Sequence, residues 1–300
     1  MSKPEVIAEV EDRELDARVL VTGSTSGIGK QTALSLGRLG CDVYVHGRNR
    51  EAGESVVSDI RDMGQDSKFY QVDFSSQSEV KEFSEEIYED LKEDGLDILV
   101  NNAGGYFRNA GTTEDGVEYT FAVNHLSHFI LTKNLLPLLE DSDIGEIVNV
   151  SSTAHKSGNM NLEEIQGEEV TSGMKAYGRS KLANIHFTKS LDRRLGSSSI
   201  NVNAIHPGGI PSSGFFRSLP GPLYKIGKKI GEIPIFDQPE DGAATILYAM
   251  LSSETAGESG NYYKNTERAT PTKLARDEDV QEKLWNRSVS ITETRWDEVL

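Results

Sequence analysis

"RVLVTGSTSGIGKQTALSLGRLG", residues 18–40, decides the fold. "RVLVTG" (18–23) is rich in β-branched residues and stops at a glycine, which predicts a strand. "KQTALSLGRLG" (30–40) reads as a helix ending at Gly40. Between them, "VTGSTSGIGK" (21–30) sets Gly23, Gly27 and Gly29 in a G-x3-G-x-G spacing. Glycines so placed allow a tight turn and let the backbone approach a pyrophosphate at a helix N-terminus. A glycine pattern alone is a weak signal. Its position after a strand and before a helix is what strengthens it against the plainer reading, a strand–helix turn with no ligand.

The same rhythm continues along the chain. "DVYVHG" (42–47), "KFYQVD" (68–73), "LDILVNNAG" (96–104), "EIVNVSS" (146–152), "INVNAIHPGG" (200–209) and "GNYYKN" (260–265) read as strands. Helices are expected at 49–64, 77–94, 116–139 with a break at Pro137, 176–195 and 240–252. In 77–94 an apolar stripe of Val80, Phe83, Ile87 and Leu91 recurs at helical spacing. Strand–helix alternation of this kind implies an α/β chain with a doubly wound parallel sheet, the Rossmann fold, covered by helices on both faces. Residues 1–300 are read as one domain, with a core at about 16–265. Two segments interrupt the rhythm. Residues 153–175 form a long connection. Residues 209–237 hold prolines, glycines and aromatics directly after a strand's carboxyl end, where ligands bind in such sheets, and read as a substrate lid. Phe215, Phe216, Leu219, Leu223, Tyr224, Ile226 and Ile230 give that lid a helical apolar spacing that fits a substrate cover and ordinary packing alike.

Composition narrows the function classes. The chain carries 48 acidic against 31 basic residues, a net charge of -17. Phosphate backbones select clustered Lys and Arg, so nucleic acid is not expected as a partner, nor is an anionic membrane surface. The acids are spread through helical stretches such as 79–95 and coat the surface; a salt-adapted source is compatible with them. The single cysteine, Cys41, precludes a disulfide framework within the chain and reads as a small buried residue, in keeping with a reducing, cytoplasmic location. No apolar run approaches the ~20 residues of a membrane span.

The end of the second strand bears on the cofactor. A dinucleotide site ordinarily places an acid there to bond the adenosine ribose 2′-hydroxyl. Here "HGRNR" (46–50) offers none before Glu51, and Arg48 presents a planar cation suited to a 2′-phosphate. NADP(H) is therefore favoured over NAD(H). Asn49 and Ser24 could add hydrogen bonds, and Asp73, at the end of the third strand, is placed to meet the adenine. The plainer reading of Arg48 is a solvated loop residue.

Further on, "AYGRSKLAN" (176–184) puts Tyr177 and Lys181 one turn apart on one helical face. With "TGSTSGIG" (22–29), "NNAG" (101–104), Asn124 in "VNHLSH", Ser152 in "VNVSS" and "HPGG" (206–209), the chain resembles the short-chain dehydrogenase/reductase family, over about residues 16–265. The Arg after the second strand, "SSTAH" and "SKLAN" make it most similar to the retinol-dehydrogenase-type, NADP-linked branch. The resemblance implies hydride transfer between nicotinamide and a carbonyl or alcohol. It makes Tyr177 the general acid/base, Lys181 the charge that with the oxidised nicotinamide lowers its pKa and a ligand of the nicotinamide ribose, Ser152 the hydrogen-bond partner of the substrate oxygen, and Asn124 the holder of a relay water. Of the Ser151–Ser152 pair the family uses the second. Ser26, Ile28, Phe74, Ala103 and Gly104 join the cofactor site on the same ground. Asn101 is expected against the adenosine side, and Pro207 and Gly208 beside the nicotinamide. Ile210 and Ser212, where the family more often has Thr, are expected to meet the carboxamide and phosphates.

Competing chemistries are weaker. Six histidines show no metal-ligand spacing, although His125 and His128 are three apart; no metal is expected. No G-x-S-x-G elbow supports a serine hydrolase, and His155 reads as a wall residue. Reduction of a carbon–carbon double bond would use the same Tyr177 and Lys181. A non-catalytic NADP(H) sensor would have no need of them. The expected substrate is a small, apolar alcohol, aldehyde or ketone. Many members of the family pair through helices corresponding to 120–137 and 176–195, so a homo-oligomer is one reading. Residues 266–300, with Trp285 and Trp296, are expected to form a helix-bearing extension on the domain or on a neighbouring subunit, its last residues frayed.

Overall fold

β1 (Arg18–Val21) has neighbours on both sides. It pairs in parallel with β2 (Asp42–Gly47) and with β4 (Ile98–Asn101). The computed structural model describes residues 14–108, 111–140, 142–166, 173–209 and 237–300. From β1 the sheet grows outward through β3 (Ser67–Gln71) on one side. On the other it continues through β5 (Glu146–Val150), β6 (Asn201–His206), β7 (Tyr262–Lys264) and β8 (Glu267–Arg268). The order is β3-β2-β1-β4-β5-β6-β7-β8, parallel throughout except for β8, which runs antiparallel at the edge. The order reverses between β1 and β4, and this switch point is where such sheets open a crevice beyond the strands' carboxyl ends.

The central strands β1, β4 and β5 are buried along almost their whole length because both faces are covered. One face is packed by α1 (Gly27–Arg38), α2 (Arg50–Arg61) and α7 (Pro239–Leu251), closing a core around Val19, Val21, Val43, Val45 and Ile60. The other is packed by α3 (Gln77–Leu91), α5 (Ser127–Glu140) and α6 (Met174–Leu195) around Leu20, Leu99, Ile147 and Val202. The stripe Val80, Phe83, Ile87 and Leu91 is buried as its spacing requires. Cys41 lies fully buried, and burial pushes its thiol up to about 12.

Two expectations change. Pro137 does not break its helix: α5 continues through it to Glu140. The irregularity lies upstream, where a short α4 (Tyr119–Phe121) joins α5 through a π-helical turn, Ala122–Leu126, that carries Asn124. The C-terminal end is not frayed either. After α8 (Glu278–Thr292), a 3-10 turn at Trp296–Glu298 buries Trp296 against Trp285, Phe129 of α5 and Phe187 of α6. The extension thus packs on its own domain, over part of the two helices through which pairing was expected. No helix among the described residues is long and apolar enough to cross a membrane. The expected lid cluster, Phe215 to Ile230, lies outside the described residues.

Glu146 opens β5 at the end of the sheet away from the crevice. Its Oε1 accepts from Asn201 Nδ2 at 2.8 Å, and burial pushes the carboxyl up to about 8. A carboxyl raised above its unfolded value of about 4.5 stabilises the fold in its neutral form. That contribution is fully present below pH 4.5 and is lost as pH rises through 8. Glu146→Gln is accordingly expected to flatten the decline in urea stability across this window and to exceed the parent at high pH by about 2 kcal/mol. Parallel pH profiles for the two proteins would remove Glu146 as the cause.

Candidate active site

The glycine turn and the loop after β4 form one construction. Gly23 has φ +67°, and a Cβ there would stand 2.8 Å from Ala103 Cα. A Cβ on Gly29 would stand 2.4 Å from both Asn102 Nδ2 and the Gly23 carbonyl oxygen. Asn102 Nδ2 donates to the Thr22 carbonyl at 2.8 Å, and Thr22 Oγ1 accepts from the amides of Asn102 and Ala103, each at 2.9 Å. Only glycine permits this approach. Ser26 occupies the N-cap of α1 without a side-chain capping bond, and no acid stands in the first turn. The first amides of a helix lack intrahelical partners, so this end of α1 suits an anion.

A cleft of about 720 Å³ runs from this turn across the carboxyl ends of the sheet. Its lining includes Ser26, Ile28, Arg48, Asp73, Phe74, Ala103, Gly104, Pro207 and Gly208. At one end Arg48 Nη1 lies 3.7 Å from Asp73 Oδ2 and 3.4 Å from the Tyr119 hydroxyl, with the side chain 59% exposed. The residues present fit an NADP(H) molecule. Glycine backbone and helix amides suit a pyrophosphate, and the exposed Arg48 guanidinium suits a further phosphate.

At the other end lie Ser152, Tyr177 and Lys181, all on the cleft wall. Ser152 ends the β5 connection, caps the 3-10 turn Thr153–Ser157, and hydrogen-bonds to the Tyr177 side chain. Ser151, by contrast, donates from Oγ to the Lys181 carbonyl at 2.7 Å and is buried. Lys181 Nζ donates to the Val150 carbonyl at 2.9 Å and stands 5.8 Å from the centre of the Tyr177 ring. Burial lowers Lys181 to about 8. Burial also raises the Tyr177 phenol above its ordinary range, opposed by the hydrogen bond from Ser152. The lowering expected of this phenol counts on the charge of an oxidised nicotinamide as well as that of Lys181. Among the protein's own groups desolvation is the largest influence on the phenol.

Gly178, inside "YGRSK", explains how the catalytic helix comes so close. A Cβ there would stand 2.9 Å from the Ala154 carbonyl oxygen, and one on Gly158 would stand 2.4 Å from the Gly178 carbonyl oxygen. The start of α6 therefore rests directly on the turn that follows Ser152. Buried Arg179 fastens the same segment through an ion pair with the Glu164 carboxylate and a 3.2 Å bond to the Glu164 carbonyl.

Several expected cofactor residues take other parts. Asn101 is fully buried beneath the cleft. Its Nδ2 donates to Thr132 Oγ1 and Asn149 Oδ1, and the next residue, Asn102, lines the cleft instead. Successive strand residues face opposite ways, which separates the two asparagines. Ser24 is buried and donates to the Val21 carbonyl, bracing the turn from below. Asn49 caps α2, accepting from the Ala52 amide at 2.9 Å. Asn124 is buried. Its Oδ1 accepts from the Gly105 amide, while its Nδ2 donates to the Gly105 carbonyl and to Ser180 Oγ. Its side chain locks the loop after β4 to α6. Ile210 and Ser212 lie outside the described residues. His155 Nδ1 contacts the Ser152 carbonyl at 2.7 Å, not the hydroxyl, so it is no base for that serine. His125 and His128 are engaged by Asn184 and Ser288, and by Asn124 and Thr22. Unforeseen cleft residues are Tyr106, Phe107, Met174 and His46. No motif marked them, because the first three owe their place to loop and helix-end packing.

The chain matches the family model described as short chain dehydrogenase over residues 17–219. It is 37% identical to human retinol dehydrogenase 13 over 286 residues, which covers 91% of this chain and 83% of that protein. Among solved structures it superposes on an uncharacterised protein of Mycobacterium paratuberculosis with a TM-score of 0.76, at 29% identity and 97% and 98% coverage of the two chains. It also superposes on a short chain dehydrogenase of Burkholderia cenocepacia in complex with NADP, with a TM-score of 0.65, at 26% identity and 84% and 97% coverage. The glycine turn, the serine, tyrosine and lysine gathered on one cleft wall, and these likenesses agree: the chain belongs to the short-chain dehydrogenase/reductase family, in its retinol-dehydrogenase-type branch.

Proposed function

We propose that this oxidoreductase uses NADP(H) to interconvert an apolar alcohol and its carbonyl compound, with Tyr177 as the general acid/base. The observation that carries the reading is the Ser152–Tyr177 hydrogen bond on the same cleft as Arg48 and the open end of α1. Bound nicotinamide supplies or accepts the hydride at its C4 carbon.

The remaining work falls to the chain. In reduction, Ser152 and Tyr177 hold the carbonyl oxygen, and the Tyr177 hydroxyl gives that oxygen its proton as the carbon takes the hydride. The alcohol leaves and Tyr177 is left as phenolate, which Lys181 stabilises at short range while it regains a proton from solvent. Oxidation runs the same steps backwards, with phenolate as base. A phenol held in its neutral form favours the acid role at neutral pH. The apolar substrate class is supported by Tyr106, Phe107 and Met174 on the cleft wall, the Tyr106 ring edge-on to Tyr177 at 6.2 Å. It is supported as well by the likeness to retinol dehydrogenase 13.

The first test is a fluorescence titration with NADPH and NADH, followed by a screen of retinaldehyde and simple ring ketones for NADPH consumption. Tighter NADPH binding and carbonyl-dependent oxidation of NADPH are expected. Preference for NADH would detach Arg48 from cofactor choice, and folded protein that binds neither nucleotide would sink the reading.

A further inference from the structure

His46 is the last side chain of β2 before Gly47; it opens the stretch "HGRNR", in which Arg48 and Asn49 alone were given a part in the site. It is 3% exposed and still contributes to the cleft lining. Nδ1 of its ring lies 3.1 Å from the Gly23 amide, which can only donate. Nδ1 must therefore be the acceptor, which places the ring proton on Nε2. That nitrogen lies 3.3 Å from the Val72 carbonyl, which can only accept. Both contacts are satisfied by one neutral tautomer and by no other protonation state. Burial agrees, lowering the imidazole to about 3. Phe74 stacks on the ring at 4.0 Å and Phe83 at 5.2 Å, so two aromatic neighbours hold its orientation. The main chain repeats the link: the Ser24 amide donates to the His46 carbonyl at 2.9 Å, and the His46 amide donates to Ser24 Oγ at 3.1 Å.

We propose that His46 is a positioning residue for the cofactor: its neutral ring, through Nδ1, holds the Gly23 amide and so fixes the glycine turn in the conformation that receives the pyrophosphate. The reason lies in the strained start of that turn. Gly23 adopts φ +67° and has no side chain of its own to anchor it. Its carbonyl is held from above by Asn102 Nδ2 at 3.3 Å, and its amide from below by His46. Without the ring acceptor, a buried amide loses its partner, and the turn relaxes towards conformations that satisfy it elsewhere. This inference rests on reading the cleft as a nicotinamide dinucleotide site.

Two variants separate positioning from packing. His46→Leu keeps bulk against Phe74 and Phe83 but has no acceptor. His46→Asn is smaller, yet its Oδ1 can take the place of Nδ1. NADPH and NADH affinities are measured by fluorescence titration, and Tm by calorimetry, for both variants and the parent. The leucine variant is expected to bind both nucleotides on the order of tenfold more weakly, and by the same factor, since the turn receives the pyrophosphate that both share. The asparagine variant is expected to recover most of that affinity while having the lower Tm of the two. Parent-like affinity in the leucine variant overturns the proposal, as does a loss that follows Tm across both variants or one confined to NADPH. A folded parent that binds neither nucleotide overturns the functional reading itself and this proposal with it.

Discussion

Tyr177→Phe is expected to lower turnover by about a thousandfold while NADPH affinity stays within about twofold of the parent. The ring is half-buried and stands edge-on to Tyr106, and phenylalanine keeps that ring. What disappears is one hydroxyl, the partner of Ser152. Steady-state carbonyl reduction and a parallel nucleotide titration check this. Turnover equal to the parent's would remove Tyr177 from the chemistry. The parent's pH profile carries the same information with a defined sign. Burial holds the phenol above its ordinary range, so reduction, which needs the acid, is expected to persist through neutrality and to fall at high pH. Oxidation needs the phenolate and is expected to rise with pH over the same interval. Lys181, lowered to about 8, loses charge within that interval and tempers the rise. Profiles of the same slope in both directions would exclude Tyr177 as the titrating group.

Arg48→Ser is expected to weaken NADPH binding by about a hundredfold and to leave NADH binding nearly unchanged. The guanidinium is exposed, so its loss leaves no buried partner stranded, and the effect is specific to a ligand carrying the extra phosphate. Asp73, 3.7 Å away, has two consequences here. It steadies Arg48 in the parent, and once Arg48 is gone its carboxylate repels the 2′-phosphate. Arg48→Ser combined with Asp73→Asn should therefore recover part of the lost NADPH affinity. The two nucleotide dissociation constants, measured at several salt concentrations, decide the matter. An equal loss for both nucleotides would mean that the variant has disturbed the cleft as a whole.

Sequence periodicity alone fixed the parallel α/β architecture, because strands covered on both faces must be apolar throughout and the intervening helices must be amphipathic. It also located Gly23, Gly27 and Gly29, since only a residue without a side chain fits where the turn meets Ala103, Asn102 and its own backbone. Tyr177 and Lys181 were legible for a similar reason: one helical turn places them on one face whatever surrounds them. Legibility ended where a side chain's task depends on what the rest of the fold brings to it. Asn101 and Asn102 are alike in composition, and only strand alternation within the assembled sheet turns one inward and the other to the cleft. Asn124 and Ser24 carry polar groups that could serve a ligand, but burial commits their side chains to Gly105, Ser180 and Val21. The desolvation that raises the Tyr177 phenol was not legible either, because it is a property of the packed interior and of no single spacing. Trp285 and Trp296 could have faced solvent or a second subunit. Tertiary packing alone placed them on Phe129 and Phe187, where the apolar faces of α5 and α6 would otherwise lie open to water.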